Sequence, residues 1–147
     1  MPGKTGRSRF RTGSAGQPYF LLNIILAGVI LLIMGYSLFY SPDEERYPVP
    51  CVHEKLTGEP CPSCGLSHAF SLIVRGRIAE AMEWNSHSMR VFIFFALQLV
   101  MRFALAAVAL KPANHLRQIA VTDAVVSAVM ALTAFWPFLR MTWFSLF

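Results

Sequence analysis

The chain has 147 residues and a net charge of +5, with 55% hydrophobic but only 14% charged residues. A water-soluble domain carries nearer a quarter charged residues, so an ordinary soluble globular fold is excluded. The apolar residues fall in blocks of about 20, the length that crosses a bilayer, and the predicted fold class is an all-α integral membrane protein.

Residues 1–18 form a basic tail carrying Lys4, Arg7, Arg9 and Arg11 among glycines and serines. This composition predicts disorder. Nucleic-acid binding is the functional alternative for such a tail. Its shortness fits instead a topology signal held at the anionic cytoplasmic leaflet, and no nucleic-acid partner is expected. The first apolar block, residues 19–40, is longer than the core of a secretory signal peptide and is followed by no Ala-x-Ala site, so a retained anchor is expected. Pro18 suits its first turn and Pro42 stops it. Tyr19, Tyr36 and Tyr40 fit the aromatic belts of the two interfaces. Gly28 and Gly35 offer a close helix contact or a lipid-facing position.

Residues 41–88 are polar, proline-rich and hold all three cysteines. Two short amphipathic helices are predicted within them. The first, from Leu66 to Arg75, carries a stripe of Leu66, Ala69, Phe70 and Ile73, with Ser67, His68, Ser71 and Arg75 on the other sides and Gly76 as C-terminal cap. The second runs from Arg77 to Trp84. Both are too short to span, and they are expected in the interface with Trp84 as an anchor. Residues 89–110 form the second predicted span, which Pro112 ends. Residues 111–118 are a short basic loop. Residues 119–139 form the third span, and residues 140–147 an interfacial tail. The complete expectation is three transmembrane helices plus one or two short interfacial helices.

The lysine and arginine bias places the N-terminus and the 111–118 loop in the cytoplasm. The cysteine segment is then periplasmic or extracellular, where disulfides form, and the chain is multi-pass in the inner (plasma) membrane. Arg102 and Asp123 are charged residues inside the second and third spans. A charge at the bilayer centre costs about 3 kcal/mol, so the two are expected to pair and fix the helix hairpin. A proton or ion relay is the functional alternative, but one pair lacks the chain of polar groups a pathway needs. Gln98, one turn before Arg102, is placed to join the pair.

The spacing Cys51-x9-Cys61-x2-Cys64 supports three chemistries. In the first, Cys61-Pro62-Ser63-Cys64 precedes a helix, whose N-terminus favours a reactive thiolate; Cys61, Cys64 and His68 would then be the catalytic residues. No thioredoxin-like βαβ pattern surrounds them. In the second, the three thiolates bind zinc with His68 or His53 as fourth ligand. In the third, Cys51 is joined to Cys61 or Cys64 in a structural disulfide, leaving one thiol. Haem attachment is disfavoured, because Gly65-Leu66 rather than histidine follows Cys64.

These residues carry a family resemblance. Cys51, the run Thr57-Gly58-Glu59-Pro60-Cys61-Pro62-Ser63-Cys64-Gly65-Leu66-Ser67-His68-Ala69, then Gly76, Ala79-Glu80-Ala81 and Asn85 resemble a family of small bacterial membrane proteins, the uncharacterised domain family numbered 2752. The resemblance implies a short membrane protein with the cysteine segment ahead of a helix hairpin, and implies no reaction. Two positions depart from the family pattern. His68 stands where an arginine is common, and Ser86 where a proline often follows the asparagine.

The expected function is non-enzymatic. It is that of an accessory or scaffold component of the bacterial cell envelope, with the cysteine segment as a stapled or metal-bound cap. Its partners are the lipid bilayer and other membrane proteins or further copies of itself. The alternative is a membrane thiol–disulfide redox or zinc-dependent protein using Cys51, Cys61 and Cys64.

Overall fold

A computed structural model describes residues 16–39, 41, 64–110 and 115–146, with side chains described up to residue 140. Helices α1 (Gly16–Phe39), α2 (Leu66–Val74), α3 (Ile78–Trp84), α4 (Ser88–Ala109) and α5 (Leu116–Leu146) follow in chain order, and no strand occurs among the described residues. Three of them, α1, α4 and α5, are long and apolar enough to cross a membrane. The 24 residues of α1 reach about 36 Å, beyond the roughly 30 Å of a hydrocarbon core. Their outward faces carry Leu32, Ile25, Leu97 and Val129 at 75%, 62%, 53% and 55% exposure. Apolar surface on that scale demands lipid. The chain is a multi-pass membrane protein.

Helix packing follows stripes of small and polar residues. Helix α1 buries Asn23, Ala27, Ile30 and Ser37, at spacings that repeat on one helical face. Helix α4 buries Val91, Gln98, Arg102, Ala106 and Ala109. The two helices approach closely at Gly16, where an added Cβ would lie 2.9 Å from the Ala109 carbonyl oxygen. Gly16 is therefore the glycine that close approach requires. Gly28 and Gly35 have open space where a Cβ would stand, so neither makes a helix contact among the described residues.

Helix α2 differs from an amphipathic rod laid on a surface, whereas α3 buries only Ala81 and leaves Ile78, Met82 and Trp84 exposed. Five consecutive residues of α2, Ala69 to Ile73, are buried. Five residues cover more than a full turn, so no side of that stretch faces out. Phe70 meets Phe92 and Phe95 of α4 edge-on, with ring centroids 5.5 and 6.1 Å apart. Phe94 meets Phe135 of α5 in the same way at 5.5 Å. Ser71, expected on the polar side, is fully buried because Arg75 reaches back to its hydroxyl and its carbonyl. Gly76, at φ 79°, caps α2 by donating its N–H to the Ile73 carbonyl at 2.9 Å.

Helix α5 runs from Leu116 to Leu146, so it starts before residue 119 and passes residue 139 into the stretch read as a tail. Pro137 lies inside it. A proline there removes one backbone hydrogen bond, a loss that membrane helices tolerate where neighbouring groups re-satisfy the carbonyl.

Candidate functional site

Two polar constellations stand out in this apolar molecule, one at each end of the helix bundle. The first surrounds Cys64, directly before the N-terminus of α2. Gly65 follows it at φ 75°, ψ 0°, a left-handed conformation that suits glycine. A Cβ at Gly65 would also stand 3.1 Å from the Trp84 carbonyl oxygen and 3.5 Å from its indole ring. Both the backbone angle and the space therefore call for glycine. The indole of Trp84 also lies against the His68 ring, with centroids 4.0 Å apart and planes inclined at 33°.

Asn85 ties the pieces together. Its Nδ2 donates to the Cys64 carbonyl at 3.1 Å, and its Oδ1 accepts the His87 N–H at 2.9 Å. Its backbone N–H donates to Ala81 and its carbonyl accepts from Ser88, each at 3.0 Å. The side chain is buried and bonded at both ends of its amide. One residue thus fixes Cys64 to the end of α3 and the start of α4. Arg75 performs the corresponding task for α1. Its guanidinium donates to the Ser37 carbonyl at 3.3 Å and the Leu38 carbonyl at 3.1 Å, in the last turn of that helix. A cation there satisfies orphan carbonyls and complements the helix dipole.

Cys64 is disulfide-bonded. Cys51, Cys61 and His53 lie outside the described residues. His68, the remaining candidate, sits in the first turn of α2 with its ring on Trp84. Among the described residues, no three histidine, cysteine or acidic side chains gather as a metal would require.

The second constellation lies between the spans. The structure brings Arg102 and Asp123 into a bidentate contact: Nη1 donates to Oδ2 at 3.0 Å and Nη2 donates to Oδ1. Both residues are buried, at 4% and 8% exposure. Three further side chains complete the arrangement. Asn23 Oδ1 accepts from Arg102 Nη1 at 3.0 Å, and Ser127 Oγ accepts from Nη2 at 2.7 Å. The Tyr19 hydroxyl donates to Asp123 Oδ2 at 2.9 Å. Ser127 Oγ also donates to Asp123 Oδ1 at 3.1 Å, and Asn23 Nδ2 donates to the Tyr19 carbonyl at 2.8 Å. Two charges removed from water are tolerable when their remaining donors and acceptors are filled in this way. Arg102 Nε alone has no partner among the described residues.

Tyr19, Asn23 and Ser127 were not singled out by charge. Tyr19 fits an interfacial belt by sequence, yet its hydroxyl turns inward to Asp123. The available signal was spacing: Asn23 follows Tyr19 by four residues and Ser127 follows Asp123 by four, one helical turn on the same face. Gln98 does not join the network among the described contacts. Its Nε2 points to the Met130 sulfur at 3.9 Å, a weak interaction. Asn85 and Arg75 were likewise missed as clamps, because their partners are backbone carbonyls, which carry no sequence signature.

Residues 51–99 match the family described as "Protein of unknown function (DUF2752)". The match begins at Cys51 and ends within α4, so it takes in Cys64, Gly65, Trp84 and Asn85, and excludes α1, Asp123 and α5. No curated protein and no solved structure matches the chain.

Proposed function

We propose that this chain is a non-enzymatic accessory or scaffold protein of the bacterial inner membrane, with its cysteine segment stapled onto the helix bundle on the outer side. The supporting observation is the immobilisation of Cys64. Its sulfur is in a disulfide, its carbonyl is held by Asn85, and the next residue packs against Trp84. A bond to a residue so anchored transmits rigidity to whatever segment the other sulfur belongs to. Pairing of Cys64 with Cys51, which the staple requires, closes a loop of about 15 residues and is worth about 3 kcal/mol. The positive-inside bias of residues 1–18 and 111–118 supports the outward placement of this segment. A clamp built from backbone carbonyls, aromatic packing and an asparagine presents surface to a membrane partner or to a further copy.

The test is labelling with a membrane-impermeant maleimide in intact spheroplasts, with and without reductant. The staple predicts one sulfur labelled at most before reduction and three afterwards, at the slow rate of ordinary thiols. Three labelled sulfurs without reductant would remove the staple. One fast-reacting, low-pKa thiol would move the assignment to the redox alternative, which the position of Cys64 ahead of α2 also suits. Zinc would require the reduced cluster, since a disulfide sulfur offers no thiolate.

A further inference from the structure

A groove of about 790 Å³ opens between helices α4 and α5. Ile93, Leu97 and Met130 line its length, and Trp136 and Arg90 lie at the end nearer Cys64. Arg90 is the third residue of α4, in its first turn, and is exposed. It makes no hydrogen bond or ion pair with any described residue. Its guanidinium therefore offers a fork of N–H donors, shaped for bidentate contact with phosphate. Ser86 adds a hydroxyl at the same end of the groove.

The groove is open to its surroundings, and its mostly apolar walls face hydrocarbon within a bilayer. A groove with a cation at its interfacial end and an aliphatic floor below has the polarity of one molecule type, an amphiphile with an anionic head. A guanidinium at the interfacial end of a groove pairs with a headgroup phosphate by charge-assisted hydrogen bonds on either face of the membrane. We propose that the α4–α5 groove is a binding site for an anionic phospholipid. Its phosphate rests on Arg90 beside Ser86, and one acyl chain runs along Ile93, Leu97 and Met130. Trp136, 61% exposed, forms the opposite rim and reports on the occupant.

The full chain is reconstituted in phosphatidylcholine vesicles carrying either acyl-brominated phosphatidylglycerol or acyl-brominated phosphatidylcholine. Tryptophan quenching is measured, and the Trp136→Phe variant isolates the contribution of that indole. The site predicts that Trp136 selects the anionic lipid about five-fold, the equivalent of about 1 kcal/mol for one arginine. Arg90→Gln abolishes the preference, and Arg90→Lys keeps most of it. Ile93→Phe, which fills the groove with the arginine intact and adds no indole, lowers the quenching at Trp136. Equal quenching of the wild-type protein by the two lipids overturns the proposal whether or not the variants fold. A preference that survives Arg90→Gln overturns it too, as does a groove occupied by a helix of a second copy, seen as headgroup-independent protection of Trp136 together with a crosslinked dimer.

Discussion

Asp123→Ala is the most informative single change in this molecule. The carboxylate accepts from Nη1 and Nη2 of Arg102, the Tyr19 hydroxyl and the Ser127 hydroxyl. Its removal leaves the arginine buried at 4% exposure with two neutral acceptors, Asn23 and Ser127. Breaking one side of a buried pair costs about 3–5 kcal/mol, chiefly from the stranded charge. Adding Arg102→Ala takes that charge away. What remains is the lost packing and a few unmade hydrogen bonds of about 1 kcal/mol each. The double variant is therefore expected at about 1–3 kcal/mol below wild type, more stable than Asp123→Ala alone. Equilibrium unfolding in mixed micelles with increasing dodecyl sulfate, followed by circular dichroism, reads all four proteins of the cycle. If the two single losses simply add in the double variant, the side chains are energetically independent and the pair is not what joins α4 to α5.

Three further outcomes follow from particular contacts. Asn85→Ala removes a buried amide bonded at both ends, with an expected loss of about 1–3 kcal/mol in the same micelle titration; an unchanged midpoint would show that Cys64 is held by something else. Gly16→Leu places a Cβ against the Ala109 carbonyl and should cost about 1–3 kcal/mol, whereas Gly28→Leu, in open space, should be close to neutral in the same assay. Reporters fused after Tyr40 and after Pro112 should light up on opposite sides of the membrane, and activity in the same compartment would contradict the three-span topology.

Much of this architecture is local and therefore legible in one dimension. A span is a run of apolar residues long enough for a bilayer, and α1, α4 and α5 satisfy that condition residue by residue. Arg102 and Asp123 are conspicuous because a charge in an apolar run is costly wherever it lies. The cysteine cluster is visible as composition. Tertiary structure alone decided how these pieces are used. It turned Tyr19 from an interfacial residue into a donor to Asp123, drew Asn23 and Ser127 to the same pair, and left Gln98 to Met130. It buried Ala69 to Ile73 of α2 all round one turn, with Phe70 of the apolar stripe set against Phe92 and Phe95 of α4. It also selected Gly16 rather than Gly28 or Gly35 as the point of close approach. The physical reason is common to all of these. The bilayer fixes which segments are helices, whereas partners are chosen by three-dimensional registry between helices, and registry depends on residues more than 70 positions apart, as with Asn23 and Arg102.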